Sequence, residues 1–277
     1  MKGAIMDKFA PIYLKDEDIN DVAGFLGLDF EYCRQRILNY DAMEMAEAWN
    51  KAAPKTPIDI TKFYSGTDLY LFELTKIGAS RERSELHGKI IDYLLKKYPM
   101  SSYPKVLDFG AGIGTDLLPF ARNGYEAYYA DIPGKTADFL RYRLEKRNIK
   151  ANFFPIEGAQ AHLKGRFDII ICFDVLEHLL NPLKTLSLLT RHLKNSGVIA
   201  IINCPDDQGG THPCHLPQTF LSLGKQWWLT LDYVGLTELR GIKNVYSKDV
   251  FIKALLKRIR YLICKQTSFY ITRVSLK

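Results

Sequence analysis

The feature that most constrains this chain is an alternation that begins at Lys105. Short apolar runs at 106–109, 127–130, 152–156, 167–173 and 198–203 read as strands, and helical stretches at 116–123, 136–147 and 181–194 separate them. Repeated strand–helix–strand order selects a mostly parallel α/β sheet with helices on both faces, because each crossover must return the chain to the same strand direction. The run FDIIICF at 167–173 is apolar throughout, which suits a strand covered on both sides. In the third helix Asn181 reads as the N-cap, Pro182 as the first helical residue and Gly197 as the stop just past the end. A Pro/Gly/His-rich loop, CPDDQGGTHPCHLP, follows. Beyond it the pattern predicts a helix over 218–231, a strand over 235–240, a basic helix over 248–265 and a last strand over 268–275.

Residues 1–80 precede this alternation and read as helical. Over 41–53 Asp41 and Glu44 are spaced as a capping box, Met45 and Trp49 share one face, and Pro54 and Pro57 end the run. Further helices are expected over 68–77 and 81–98, the latter with Leu86, Ile90, Ile91, Leu94 and Leu95 on one stripe. At 277 residues the expectation is one core domain, residues 81–277, carrying an N-terminal helical cap, residues 1–80. No apolar run reaches the ~20 residues of a membrane span, and the N-terminus lacks a signal-peptide core, so a cytoplasmic protein is expected. Five scattered cysteines without a C-x-x-C pair argue against a disulfide framework.

The chemistry concentrates at VLDFGAGIGT, where the first strand meets the first core helix. Glycines at 110, 112 and 114 permit a sharp turn and a close approach of backbone to ligand, and the helix start presents unpaired N–H groups. A pyrophosphate-binding G-x-G-x-x-G turn would need glycine at 115, where Thr115 stands. Asp108 beside the turn has the wrong sign for a diphosphate and the right one for a ligand carrying ammonium and sulfonium charges. Asp131, 21 positions after Gly110 and ending the second strand, is placed to take the hydroxyls of an adenosine ribose.

These segments, with FDVLEHL at 173–179, resemble class I S-adenosylmethionine (SAM)-dependent methyltransferases, above all the broad small-molecule group that includes ubiquinone-pathway O-methyltransferases. The resemblance covers about 105–203. It implies a Rossmann-like class I methyltransferase sheet with an antiparallel last strand, with SAM as cofactor and S-adenosylhomocysteine as product. By the same resemblance Asp108, Gly110, Ala111, Gly112 and Gly114 would hold the methionine part, Asp131 the ribose, and Ile132 the adenine face. Ile156 and Glu157 would meet the adenine edge, and Cys172, Phe173 and Asp174 would lie under the reacting centre. The N-P-P-Y and D-P-P-Y motifs of base- and amide-modifying relatives are missing, so a small-molecule acceptor is expected and DNA is not.

Methyl transfer to a hydroxyl or carbon acid needs a proton acceptor, and His178, His212 and His215 are the candidates. His212 and His215 sit in the loop after the fifth strand, the end of an open α/β sheet that faces the ligand crevice. Tyr64 or Tyr70, in FYSGTDLY at 63–70, could close over the sulfonium. Cys204, His212, Cys214 and His215 are close in sequence, but their spacing matches no common zinc pattern, and no metal is expected. Residues 248–277 hold eight basic residues and one acid, matching the net charge of +7, so RNA or membrane-surface contact through this region is an open expectation. Three rival readings exist: a nicotinamide oxidoreductase, disfavoured by the absent third glycine; a non-catalytic SAM-binding module; and a nucleic-acid methyltransferase using the basic region.

Overall fold

The computed structural model describes residues 13–157, 160–204, 214–216 and 219–274. They fall into two compact units, one running to Leu163 and taking in Cys214, the other formed by the rest of the chain from Lys164.

The first unit opens with helices α1 (Asp16–Leu26), α2 (Phe30–Leu38), α3 (Ala42–Ala52), α4 (Pro57–Gly66) and α5 (Leu69–Gly78). Their starts are set by local chemistry. Asp29 accepts from the Tyr32 N–H at 2.9 Å, Asp41 and Glu44 form the expected capping box, and Thr56 with Asp59 forms a second one. A short α6 (Arg81–Arg83), a π-helical turn at Ser84–Gly88 and α7 (Lys89–Lys97) follow. Ile90, Ile91 and Leu94 are buried as expected, but Leu86 is exposed and His87 is buried instead. The π turn is the cause: its wider winding shifts the phase of the apolar stripe by about one residue.

Strands β1 (Lys105–Phe109), β2 (Glu126–Asp131), β3 (Ala151–Glu157) and the two-residue β4 (Gln160–Ala161) lie side by side in the order β4-β3-β2-β1. β1, β2 and β3 run parallel, with Leu107 opposite Tyr128 and Tyr129 opposite Phe153, and β4 turns back antiparallel on β3. Helices α8 (Leu117–Arg122) and α9 (Lys135–Lys146) connect them. The helical segment before β1 shares a core with this half-sheet, since Ile19, Val22, Cys33, Ile37, Leu71 and Phe72 cluster with Ile113 and Phe139.

The second unit holds β5 (Phe167–Phe173), α10 (Pro182–His192), β6 (Leu193–Ile202), α11 (Trp227–Val234), β7 (Leu236–Glu238), β8 (Val245–Lys248) and α12 (Phe251–Val274). β5 is buried along its whole length and pairs parallel with β6. β8 pairs antiparallel with β6, and β7 with β8. The fold is thus α/β as the alternation predicts, and of the Rossmann-like type that the resemblance implies.

Three expectations are corrected here. Residues 268–274 are not a last strand; α12 continues through them to Val274, because nothing between 251 and 274 is glycine or proline to stop it. The antiparallel last strand is β8 instead. The helix expected over 218–231 is a π turn at Leu221–Lys225 followed by α11, which runs on to Val234. Gly197 is not a helix stop but lies inside β6, where a Cβ would come within 2.6 Å of the Asp168 carbonyl. No helix among the described residues is long and apolar enough to cross a membrane.

Candidate functional site

In the first unit β1 ends at Phe109 and the chain turns through Gly110, Gly112 and Gly114 with φ of 74°, 53° and 80°, a left-handed path open to glycine and costly for other residues. Gly114 has a second reason to lack a side chain: a Cβ there would sit 2.2 Å from Leu140 of α9. The Gly110 N–H bonds the Ala130 carbonyl at 2.7 Å, tying the turn to the end of β2, with buried Ala111 next to it. Asp131, at that end, accepts from the Gly112 N–H through Oδ2 and from the Ile132 N–H through Oδ1, each at 2.7 Å. The turn and the acid that sequence spacing separates by 21 positions are therefore in direct contact.

The electrostatics of this turn are lopsided. Asp108 is buried, and its Oδ2 has no hydrogen-bond partner among the described residues. Burial, then the neighbouring Asp116 and Asp131 charges, push its carboxyl well above the usual range, against the pull of Arg83. Asp116 is buried too, but the Arg83 guanidinium, which it pairs with, and His87 hold it low. Burial raises Asp131 to about 6, against its two N–H donors. Asp108 and Asp116 thus share one guanidinium with Asp131 close by, and a cation beside Asp108 would favour its ionised form. Sequence reading missed Arg83 and took Asp116 only as a helix start; the pairing joins segments 33 positions apart, and no local pattern signals it.

The N-terminal helices bear on the same turns. A Cβ on Gly112 would lie 3.1 Å from Leu74 of α5, and one on Gly134, just past Asp131, would lie 2.6 Å from the backbone of Ser65 in α4. Tyr64 and Tyr70 project from these helices with ring centroids 5.2 Å apart, and Tyr64 also meets Trp49 and Phe63. Their hydroxyls bond each other and the Cys214 thiol, which burial pushes up to about 12. Nearby Glu73 is raised to about 7 by burial, with Tyr40 pulling the other way. Glu73 is a second residue that sequence reading missed. Ile156 and Glu157, expected at the adenine edge, end β3 opposite Ala161 and Gln160, with Glu157 exposed.

In the second unit Cys172 and Phe173 are buried at the end of β5. Asp174 follows with φ of 54°, a strained left-handed position for a residue with a side chain, and its N–H bonds the Ile202 carbonyl at 3.0 Å. A 3-10 turn over Leu176–His178 then presents Glu177 and His178. Glu177 is fully buried; its Oε1 accepts from the Cys204 N–H at 2.8 Å, and its backbone carbonyl accepts from the Leu216 N–H at 2.8 Å. The second bond brings the His215 segment alongside. The His178 and His215 rings stand 4.8 Å apart at 77°, and one ligand-type atom from each of Glu177, His178 and His215 lies within 4.8 Å of the others. Burial, then the Asp174 charge, raise Glu177 to about 7. Two of the three histidines singled out from sequence thus meet; His212 lies outside the described residues.

The glycine turn after β1 is thus locked to the acid that ends β2, beside the buried carboxyls of Asp108 and Asp116, within an α/β fold. The family model described as Methyltransferase domain matches residues 79–255, more than half of the chain. The chain belongs to that family, the class I SAM-dependent methyltransferases. A ubiquinone biosynthesis O-methyltransferase of Rickettsia typhi is 25% identical over 115 residues, 40% of this chain and 47% of that protein. Its counterpart in Azoarcus sp. is 29% identical over 98 residues, 34% of this chain and 42% of that protein. The chain thus spans about half the length of the curated relatives it matches. Among solved structures, magnesium protoporphyrin IX methyltransferase of Synechocystis with bound S-adenosylhomocysteine is 17% identical, with a TM-score of 0.47, over 76% of this chain and 91% of that one.

Proposed function

We propose that this protein transfers a methyl group from SAM to an oxygen, nitrogen or carbon atom of a small-molecule acceptor. The observation that carries the reading is the contact of Asp131 with the Gly112 N–H beside the buried Asp108, a cradle whose charge suits a cationic nucleoside. The residues fit that ligand: Asp131 would take the ribose, Ile132 the adenine face, and the Asp108–Gly114 turn the amino-acid end. SAM supplies a methyl already activated by the sulfonium charge. What the protein adds is alignment, water exclusion and removal of the acceptor's proton. The packing of α4 and α5 on both turns supports a cap in which Tyr64 and Tyr70 lie on the ligand side. The proximity of His178 and His215 supports a proton-accepting role for that pair.

The test is binding of S-adenosylhomocysteine by calorimetry and thermal shift. A raised melting temperature is expected in the native protein, and Asp131→Ala should weaken affinity by at least about tenfold, the scale of one lost hydrogen bond to a charged group. No stabilisation of the native protein would remove the assignment. Binding with no methyl transfer to any member of a phenol, carboxylate and amine panel would favour the non-catalytic module.

A surface role for α12 is a separate reading, favoured by one observation. Ile252, Leu255, Leu256, Ile259, Leu262 and Ile263 are all exposed along it, while Lys253, Lys257, Arg258 and Arg260 bond to Thr237, Asp249, the Tyr233 carbonyl and Asp232. An outward apolar stripe supports contact with a membrane surface more than with RNA. Co-sedimentation with liposomes, lost on Leu256→Glu with Ile259→Glu, is the expected result.

A further inference from the structure

We propose that Glu177, His178 and His215 form a binding site for one divalent transition-metal cation. The three side chains come from two stretches 37 positions apart, and a 3-10 turn on one side and the Leu216–Glu177 backbone bond on the other bring them together. One carboxylate oxygen and one imidazole nitrogen from each histidine all lie within 4.8 Å of one another, so a single ion can reach all three after side-chain adjustment. The two rings stand 4.8 Å apart and are inclined at 77°.

A second observation is independent of that convergence. Glu177 is fully buried, its Oε1 is held by the Cys204 N–H, and its Oε2 has no hydrogen-bond partner among the described residues. A buried carboxylate oxygen without a partner costs free energy, and a cation bound there removes the cost. The Cys204 N–H fixes the carboxylate's orientation, the role an outer hydrogen bond plays around a metal ligand.

The donor set decides the kind of ion. Two imidazoles and one carboxylate favour zinc, cobalt, manganese or iron over calcium and magnesium, which prefer all-oxygen sites. The cysteines near in sequence are not part of the set: Cys204 contributes its backbone N–H, and Cys214 sits with Tyr64 and Tyr70 in the first unit. Three protein ligands leave coordination positions open. On the methyltransferase reading, an acceptor oxygen in one of them would hold its proton less tightly; with the ion bound the two histidines act as ligands, and the proton-accepting role proposed for them belongs to the metal-free protein.

The full chain, stripped with a chelator and dialysed, is titrated with cobalt(II) chloride and followed by visible absorption and calorimetry. A single saturable site with nitrogen-ligated cobalt bands is expected. Glu177→Gln, His178→Gln and His215→Gln should each weaken it by more than about tenfold, the least expected when a ligand rather than an outer partner is lost. S-adenosylhomocysteine binding serves as the check on folding and is expected to be retained in all three variants. No saturable cobalt binding by the native chain, or binding undiminished in all three variants, overturns the site. Should a variant fail to fold, the native spectrum decides, since absence of nitrogen-ligated bands is equally fatal. Cobalt binding without S-adenosylhomocysteine binding would keep the cation site and remove the methyltransferase reading; the reverse result would do the opposite.

Discussion

Asp131 shows how much one side chain can be asked to do. It ends β2, holds the N–H of Gly112 in the facing turn and the N–H of Ile132 next to it, and stays raised to about 6 because burial outweighs both bonds. Its folded pKa lies above its ordinary value, so the neutral form persists to higher pH in the fold. A ribose hydroxyl is bound best by the ionised form, which is half-populated near 6, dominates above it and is lost as pH falls through it. S-adenosylhomocysteine affinity is therefore expected to drop between pH 7 and pH 5 in the native protein. Calorimetry at both pH values should show the drop, and a flat profile would separate Asp131 from the ribose. The carboxylate and the glycines were legible in sequence because strand ends and turn residues obey local rules. Arg83, Glu73 and Glu177 were not legible as site residues, since what distinguishes each is the burial and the partners that only folding brings.

At the scale of elements, α1 and α9 are joined through a buried cation. Arg143 of α9 donates to Asp21 at 3.0 Å, to Asp18 at 2.6 Å and to the Ile113 carbonyl inside the glycine turn at 2.8 Å. The N-terminal helix thus buttresses the turn through one guanidinium. Arg143→Ala removes one of three cations on buried Asp21, which keeps Arg147 and Lys146, and is expected to cost about 1.5–3 kcal/mol, the scale of a lost hydrogen bond to a charged group. Denaturant unfolding should register that loss, with weaker S-adenosylhomocysteine binding beside it; Arg143→Lys should recover only part, because an ammonium cannot serve all three acceptors in that plane. The sequence revealed strands 105–173 nearly to the residue, because buried parallel strands are apolar runs bounded by turn signals. It marked 1–80 as helical without delimiting α1, whose Glu17, Asp18 and Asp21 find their reason only in Arg143 and Arg147, more than 120 positions away. The strand wrongly expected at 268–275 shows the limit of alternation when no glycine or proline ends a helix.

Across the whole molecule, charge is distributed against its net sign. The chain carries +7, yet Asp108, Asp116, Asp131 and Glu73 are gathered in the first unit, three of them with carboxyls pushed up. For Glu73 the fold favours the neutral acid, so rising pH costs stability progressively between its ordinary value of 4.5 and about 7, and the full cost applies above that. Glu73→Gln never incurs it. The variant is expected to melt about 2–5 °C above the native protein at pH 8 and to lose most of that advantage at pH 5, as differential scanning calorimetry would show. A variant equally shifted at both pH values would mean that Glu73 stays ionised throughout.

The guanidinium under the glycine turn also bears on modularity. A chain shortened to begin at Phe30 would shed Asp18 and Asp21 together and leave Arg143, beside the glycine turn, without either acid. Trimming α1 therefore disturbs the glycine turn as well as the helical segment that carries it. Any exchange has to carry the acids and the arginine as one inheritance.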